Sequence, residues 1–153
     1  MQIQDARNPA EIQAAGQLFG AYAEELAVDL CFQGFQQEIA ALPGKYAPPD
    51  GSLLLATEDG QPVGCVAMRP LADGIAEIKR LYVRPSCRGR GIGRQLSVAI
   101  CDRARDLGYR LVRLDTLRRL QPAVRLYESL GFVEIDAYYD NPLDGVVYMQ
   151  KSL

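Results

Sequence analysis

The sequence predicts an α/β protein, a mixed and mostly antiparallel sheet flanked by helices with element order βααβββαβαββ. Three observations carry this prediction. Short β-rich segments bounded by turn residues recur along the chain. Between them lie stretches whose apolar residues repeat at helical spacing and whose ends carry capping residues. The chain has 153 residues, 48% hydrophobic and 24% charged. That is ordinary globular composition of about one domain's length, so 1–153 is expected to form a single domain.

The elements follow in order. Residues 2–6 alternate polar and apolar, as a first strand does. Asn8 can cap a helix, Pro9 suits its first position and Glu11 can complete a capping box. Ile12, Ala15, Leu18, Phe19, Tyr22 and Leu26 then keep helical spacing to about Val28. A second short helix is expected over 35–41, and 46–51 reads as a loop rich in Pro, Asp and Gly. Strands over 53–57 and 63–68 flank Glu58-Asp59-Gly60 as a hairpin. A third strand over 75–83 is ended by Pro85. Its alternation places Glu77, Lys79, Leu81 and Val83 on one face. Ile92, Leu96, Ala99, Ile100 and Ala104 mark a helix over 92–107 that Gly108 terminates. A strand over 111–115, a helix over 122–130 closed by Gly131, and strands over 132–139 and 146–150 complete the chain.

Composition narrows the chemistry. With no histidine, Cys/His zinc sites and histidine-based nucleophile schemes are excluded. Cys31, Cys65, Cys87 and Cys101 form no CxxC pair and read as core residues of a reducing compartment. No metal is expected. No apolar run approaches the roughly 20 residues that span a bilayer, and the first residues lack a signal-like pattern. A cytoplasmic location without membrane contact is therefore expected. The net charge of −2 hides a segregation. Residues 77–130 hold 13 Lys/Arg against 5 Asp/Glu, and the remainder holds 4 against 14. A local excess on an acidic chain of pI ≈ 5.2 suggests an anionic ligand at one site rather than general nucleic-acid affinity.

The segment Arg88-Gly89-Arg90-Gly91-Ile92-Gly93-Arg94 lies between a strand and a helix. Its glycines permit backbone paths that side chains block. Free amides at the following helix start make an anion site suited to a phosphate or pyrophosphate. Arg88, Arg90 and Arg94 add formal charge. The spacing is neither a Walker loop nor a dinucleotide fingerprint.

Together with Leu81-Tyr82-Val83 before it, this R-x-x-G-x-G segment resembles the acetyl-CoA loop of the GNAT superfamily of N-acetyltransferases. Ala123-Val-Arg-Leu126-Tyr127-Glu-Ser-Leu130-Gly131-Phe132 resembles that superfamily's A-x-x-L-Y-x-x-x-G-F segment. The resemblance implies a GNAT-like fold and transfer of an acetyl group from acetyl-CoA to a small-molecule amine or a peptide amino group by direct attack. It implies pantetheine contacts from Leu81, Tyr82 and Val83, and pyrophosphate contacts from the backbone of Arg88, Gly89, Arg90, Gly91, Ile92, Gly93 and Arg94. It makes Tyr127 the acid that protonates the thiolate and Glu77 a candidate base, with water as the alternative. Asp29 and Asp140 lie where an acceptor amine is expected. Leu120 and Gln121 stand where the family often has an asparagine and its neighbour. A non-catalytic acyl-CoA sensor on the same fold is the alternative reading, and a homodimer stays open.

Overall fold

The computed structural model describes residues 1–27, 30 and 34–153. Asp29 and Cys31, singled out from the sequence, lie outside the described residues, as does the expected helix end at Val28. The elements are β1 (Gln2–Asp5), α1 (Pro9–Leu26), α2 (Phe35–Ala40), β2 (Ser52–Glu58), β3 (Gln61–Ala72), β4 (Ile75–Val83), α3 (Ile92–Asp106), β5 (Leu111–Leu117), α4 (Gln121–Ser129), β6 (Val133–Ile135) and β7 (Val146–Ser152). Single 3-10 turns at Gly44–Tyr46 and Pro85–Cys87 precede β2 and α3.

The seven strands form one sheet in the order β1-β2-β3-β4-β5-β7-β6. Every pairing is antiparallel except β4 with β5. The sheet buries both faces. On one, α3 and α4 pack Leu96, Ile100, Ala104 and Tyr127 against Val66, Met68, Ile78 and Leu114. On the other, α1 and α2 pack Leu18, Phe19, Leu26 and Phe35 against Leu53, Leu55, Cys65 and Ala67. The start of α1 carries the expected capping box: Asn8 Oδ1 accepts from Glu11 N at 2.8 Å, and Glu11 Oε1 accepts from Asn8 N at 3.1 Å.

Three expectations change. β3 runs well beyond 63–68 and includes Pro62 and Pro70, each beside a register shift where a ladder donor is dispensable. The strand expected over 132–139 is short, running from Val133 to Ile135, and its pairing with β7 ends at the rung between Ile135 and Tyr148. The freed Tyr138 and Tyr139 turn their hydroxyls onto Glu77 and Asp115 of β4 and β5. The third change, in the alternation of β4, shapes the site and is described with it.

The charge segregation closes on itself in space. Arg80, Arg88, Arg90, Arg103 and Arg118, all from 77–130, pair respectively with Glu38, Glu25, Glu58, Asp5 and Glu134, all outside it.

Candidate active site

β4 and β5 pair over three rungs only: Ile75 with Leu111, Ala76 with Val112 and Glu77 with Arg113. β4 stays paired with β3, and β5 with β7, along the rest of their lengths. The sheet therefore splits beyond Glu77 and Arg113, and the facing edges of both strands are left unladdered. At the last closed rung Arg69, Glu77, Arg113 and Gln150 stand in register across β3, β4, β5 and β7. Arg69 Nε donates to Glu77 Oε1 at 2.9 Å, and Arg113 Nε donates to Gln150 Oε1 at 3.1 Å. The Tyr138 hydroxyl donates to Glu77 Oε2 at 2.6 Å, and the Arg113 guanidinium lies 5.7 Å from the Tyr138 ring centroid.

Within the split, β4 carries a bulge. Tyr82 faces Cys65 and Lys79 faces Ala67, so Arg80 and Leu81 together oppose one residue of β3. Arg80 adopts φ 63°, an uncommon state for a non-glycine residue. Its guanidinium is held by Glu38 through bonds of 2.9 and 3.2 Å and lies 4.9 Å from the Phe35 ring centroid. Cys65 Sγ–H donates to the Arg80 carbonyl at 3.3 Å. The extra residue overturns the expected alternation. Leu81 and Val83 pack with the α3 face, whereas Tyr82 packs with the α1 face, on which Lys79 stands opposite Ala67.

The glycine segment opens onto the split. Gly89 and Gly91 have φ of 82° and 80°, and Gly91 caps α3 without a side-chain partner. Among the described residues, the amides of 89–94 make no backbone hydrogen bond; the first helical bond runs from Gln95 N to Gly91 O. Six consecutive free donors at a helix start form a concave anion cradle. They border a cleft of about 540 Å³ whose walls include Leu81, Tyr82, Val83, Arg119 and Leu126. The arginines behave differently from the sequence reading. Arg88 is clamped to Glu25 at 2.6 and 2.7 Å and also donates to the Val83 carbonyl, and Arg90 is paired with Glu58. Arg94 is bonded to the neutral Ser129 hydroxyl and Arg119 to the Leu26 carbonyl, and among the described residues neither is paired with a carboxylate.

Deeper in, a cavity of about 90 Å³ lies between the split strands. Tyr127 lines it, and burial pushes its phenol pKa well up. Among the described residues the hydroxyl has no hydrogen-bond partner. Asp115 lines the same cavity, with Oδ2 accepting from Tyr139 and from Asn141 Nδ2 at 2.8 Å. Lys79 lines it from β4, and burial lowers its pKa against the opposing pull of Glu77. Glu77 itself is 1% exposed and is not among the cavity walls. Its carboxylate is engaged by Arg69, Tyr138 and, at 3.8 Å, Lys79.

The structure thus places Tyr127 in one cavity and Tyr82, Val83 and the glycine segment in another, and the two share Leu81, Leu120 and Ala123 as walls. It sets Glu77 behind Tyr138, away from direct contact with an incoming amine, and leaves Asp140 on the exposed surface. Gln121 is exposed and bonds Arg125, so it points to no cofactor role. Sequence reasoning gave no site role to Asp115, Lys79 or Arg119, whereas Tyr138 and Tyr139 lie in the loop where the resemblance placed the acceptor pocket. Only the parity of β5, where Asp115 follows Arg113 by two, hinted at the first.

The site is thus a split sheet closed by one parallel strand pair, with a run of free amides at its mouth and a phenol at its depth. The family model "Acetyltransferase (GNAT) family" matches residues 18–132. The chain is 41% identical to an uncharacterized N-acetyltransferase of Schizosaccharomyces pombe over 153 residues, covering 99% of this chain and 94% of that one. It is 29% identical to the uncharacterized N-acetyltransferase YjgM of Escherichia coli over 84% of this chain and 78% of that one. An acetyltransferase from Staphylococcus aureus superposes with TM-score 0.82 at 17% identity, covering 99% and 98% of the two chains. The PaiA N-acetyltransferase of Thermoplasma acidophilum, solved in complex with coenzyme A, does so with TM-score 0.78 at 18% identity over the whole of both. The chain belongs to the GNAT acetyltransferase family and is an acyltransferase.

Proposed function

We propose that this chain, acting through 1–153 as one unit, moves an acetyl group from acetyl-CoA to a primary amine by direct attack. The observation that carries the reading is the run of six free amides at 89–94, opening on a cleft that leads to Tyr127. The fit to coenzyme A rests on this donor set: free N–H groups suit a pyrophosphate, and no Cβ-sized obstacle lies within 4 Å of Gly89 or Gly91. The relative solved with coenzyme A has the same fold. Bound acetyl-CoA supplies an activated acyl thioester.

The chain's residues then act as follows. The edge of Leu81, Tyr82 and Val83 aligns the pantetheine arm, and Arg94 and Arg119 contribute charge at the mouth. The amine nitrogen forms a bond to the acyl carbon, the carbon–sulfur bond breaks and the electron pair leaves on sulfur. The Tyr127 hydroxyl, protonated at neutral pH as any phenol is, donates its proton to that sulfur. The nitrogen's proton goes to Asp115, whose Oδ1 accepts from none of the described side chains. Glu77 acts at one remove, orienting Tyr138, Arg69 and Lys79. Continuous thiol release from acetyl-CoA with amino acids, polyamines, aminoglycosides and peptide N-termini tests the reading. Release that depends on none of these amines would remove it.

A further inference from the structure

The first same-face pair beyond the last closed rung of the split is Lys79 on β4 and Asp115 on β5. Glu77 and Arg113 form that rung, and each of the two lies two residues further along its own strand. In a closed sheet they would be neighbours across one strand spacing and would form an ion pair. Here the strands part, and among the described residues no salt bridge joins them, although both line the same cavity of about 90 Å³.

Each presents an unfilled valence there. The Lys79 side chain is 7% exposed, and among the described residues its ammonium makes no hydrogen bond. Its one near carboxylate, Glu77 Oε1 at 3.8 Å, is already bonded by Arg69 at 2.9 Å. A buried ammonium offers three donors, and leaving them unmade is expensive. Across the gap, Tyr139 and Asn141 both bond Asp115 Oδ2, and among the described residues no side chain donates to Oδ1. A cationic and an anionic pole, held apart by the split and walled by low-dielectric side chains, match a ligand with the opposite charges at short separation.

We propose that the acceptor is a zwitterion of the amino-acid type, its carboxylate held by Lys79 on β4 and its amine by Asp115 on β5. This deepens the acetyl-transfer reading and rests on it. A polyamine would bring a second cation against Lys79, and a dianion would face Asp115. Either is penalised by unscreened like charge in a buried site. Orientation follows as well: the carboxylate on β4 sets the amine on the Asp115 side, next to the cavity that Tyr127 lines.

The test is acetyl-CoA-dependent thiol release with the proteinogenic L-amino acids, run beside isoamylamine, phenethylamine and ethanolamine as the decarboxylated partners of leucine, phenylalanine and serine. Peptide amino groups and spermidine complete the panel. At least one amino acid is expected to exceed its decarboxylated partner by on the order of 10- to 100-fold in kcat/KM. Lys79→Met is expected to bring that ratio close to one while coenzyme A affinity, read by calorimetry, reports an intact fold; Lys79→Arg should restore much of the ratio. Equal or better turnover of the decarboxylated amines, spermidine or peptides overturns the proposal and leaves the transferase reading standing. An amino-acid preference that survives in Lys79→Met overturns the assignment of Lys79. Binding of acetyl-CoA without turnover of any member of the panel overturns the transferase reading and this proposal together.

Discussion

Tyr127 is buried by its packing on Phe132, at 5.4 Å between ring centroids, and faces the split that its own helix closes. Replacing it with Phe removes one oxygen and leaves that packing. Tyr127→Phe is therefore expected to lower kcat by about 10²- to 10⁴-fold, the usual contribution of a positioned general acid. Coenzyme A affinity by calorimetry should stay the same, and equal turnover would remove the acid role. Asp115 and Glu77 separate by the size of the rate loss. Asp115→Asn should lower kcat by about 10²- to 10⁴-fold with coenzyme A affinity unchanged. Glu77→Gln should lower it less, through a loosened Tyr138 and Lys79. The reverse order would return the base to Glu77. The residue-level motifs were legible because Tyr127 and the glycines carry their chemistry in local spacing. Asp115 and Lys79 were not, because their meaning comes from facing each other across two strands 36 positions apart in sequence, with a pairing that stops two rungs earlier.

Among the elements, the loop before α3 depends on backbone conformation rather than on room. A Cβ on Gly91 would meet nothing within 4 Å, but φ 80° disfavours any L side chain by roughly 1–2 kcal/mol. Gly91→Val should thus turn the amides out of their cradle and weaken coenzyme A binding by at least tenfold, for reasons of strain and not of crowding. Gly93 is different: its φ is ordinary, and a Cβ would lie 3.7 Å from Leu126 and Val83, a normal contact. Gly93→Ala should keep the wild-type Tm. A Tm lowered by several degrees in Gly93→Ala would show that the helix start is tighter than this geometry implies. The order of helices and strands could be read from caps and periodicity, since Asn8, Pro9 and Gly108 act locally. The bulge at Arg80 could not. Nothing within 75–83 marks an inserted residue, and its support comes from Glu38 on α2 and Cys65 on β3. The short β6 was equally hidden, because the chain after it is drawn to other strands, where the Tyr138 and Tyr139 hydroxyls bond Glu77 and Asp115.

Across the whole molecule, three carboxylates that meet the basic segment, Asp5, Glu25 and Glu38, also respond to acid. Hydrogen bonds from Arg103 and Arg88 hold Asp5 and Glu25 below their ordinary ranges. Burial would raise Glu38, but the Arg80 fork outweighs it and holds that carboxyl down too. A carboxyl lowered in the folded state stabilises it above its unfolded pKa, near 3.8 for Asp and 4.5 for Glu, and loses that effect as pH falls through the folded value. Urea midpoints are therefore expected to fall steadily below about pH 4.5. Glu38→Gln should flatten that decline most, since its partner is buried whereas the Arg88 and Arg90 pairs are half exposed and worth little. A decline of wild-type slope in Glu38→Gln would contradict this ranking. The lopsided charge of the chain falls on the segment that holds the free amides of 89–94, yet much of it is paired with carboxylates outside that segment. The acidic flanks serve as built-in counter-ions to a polycationic middle. A fragment cut to 77–130 would shed them and behave as a polyelectrolyte of charge +8, condensing on nucleic acid and cation-exchange resin alike. Its stickiness would report the missing flanks and nothing about the ligand of the intact protein.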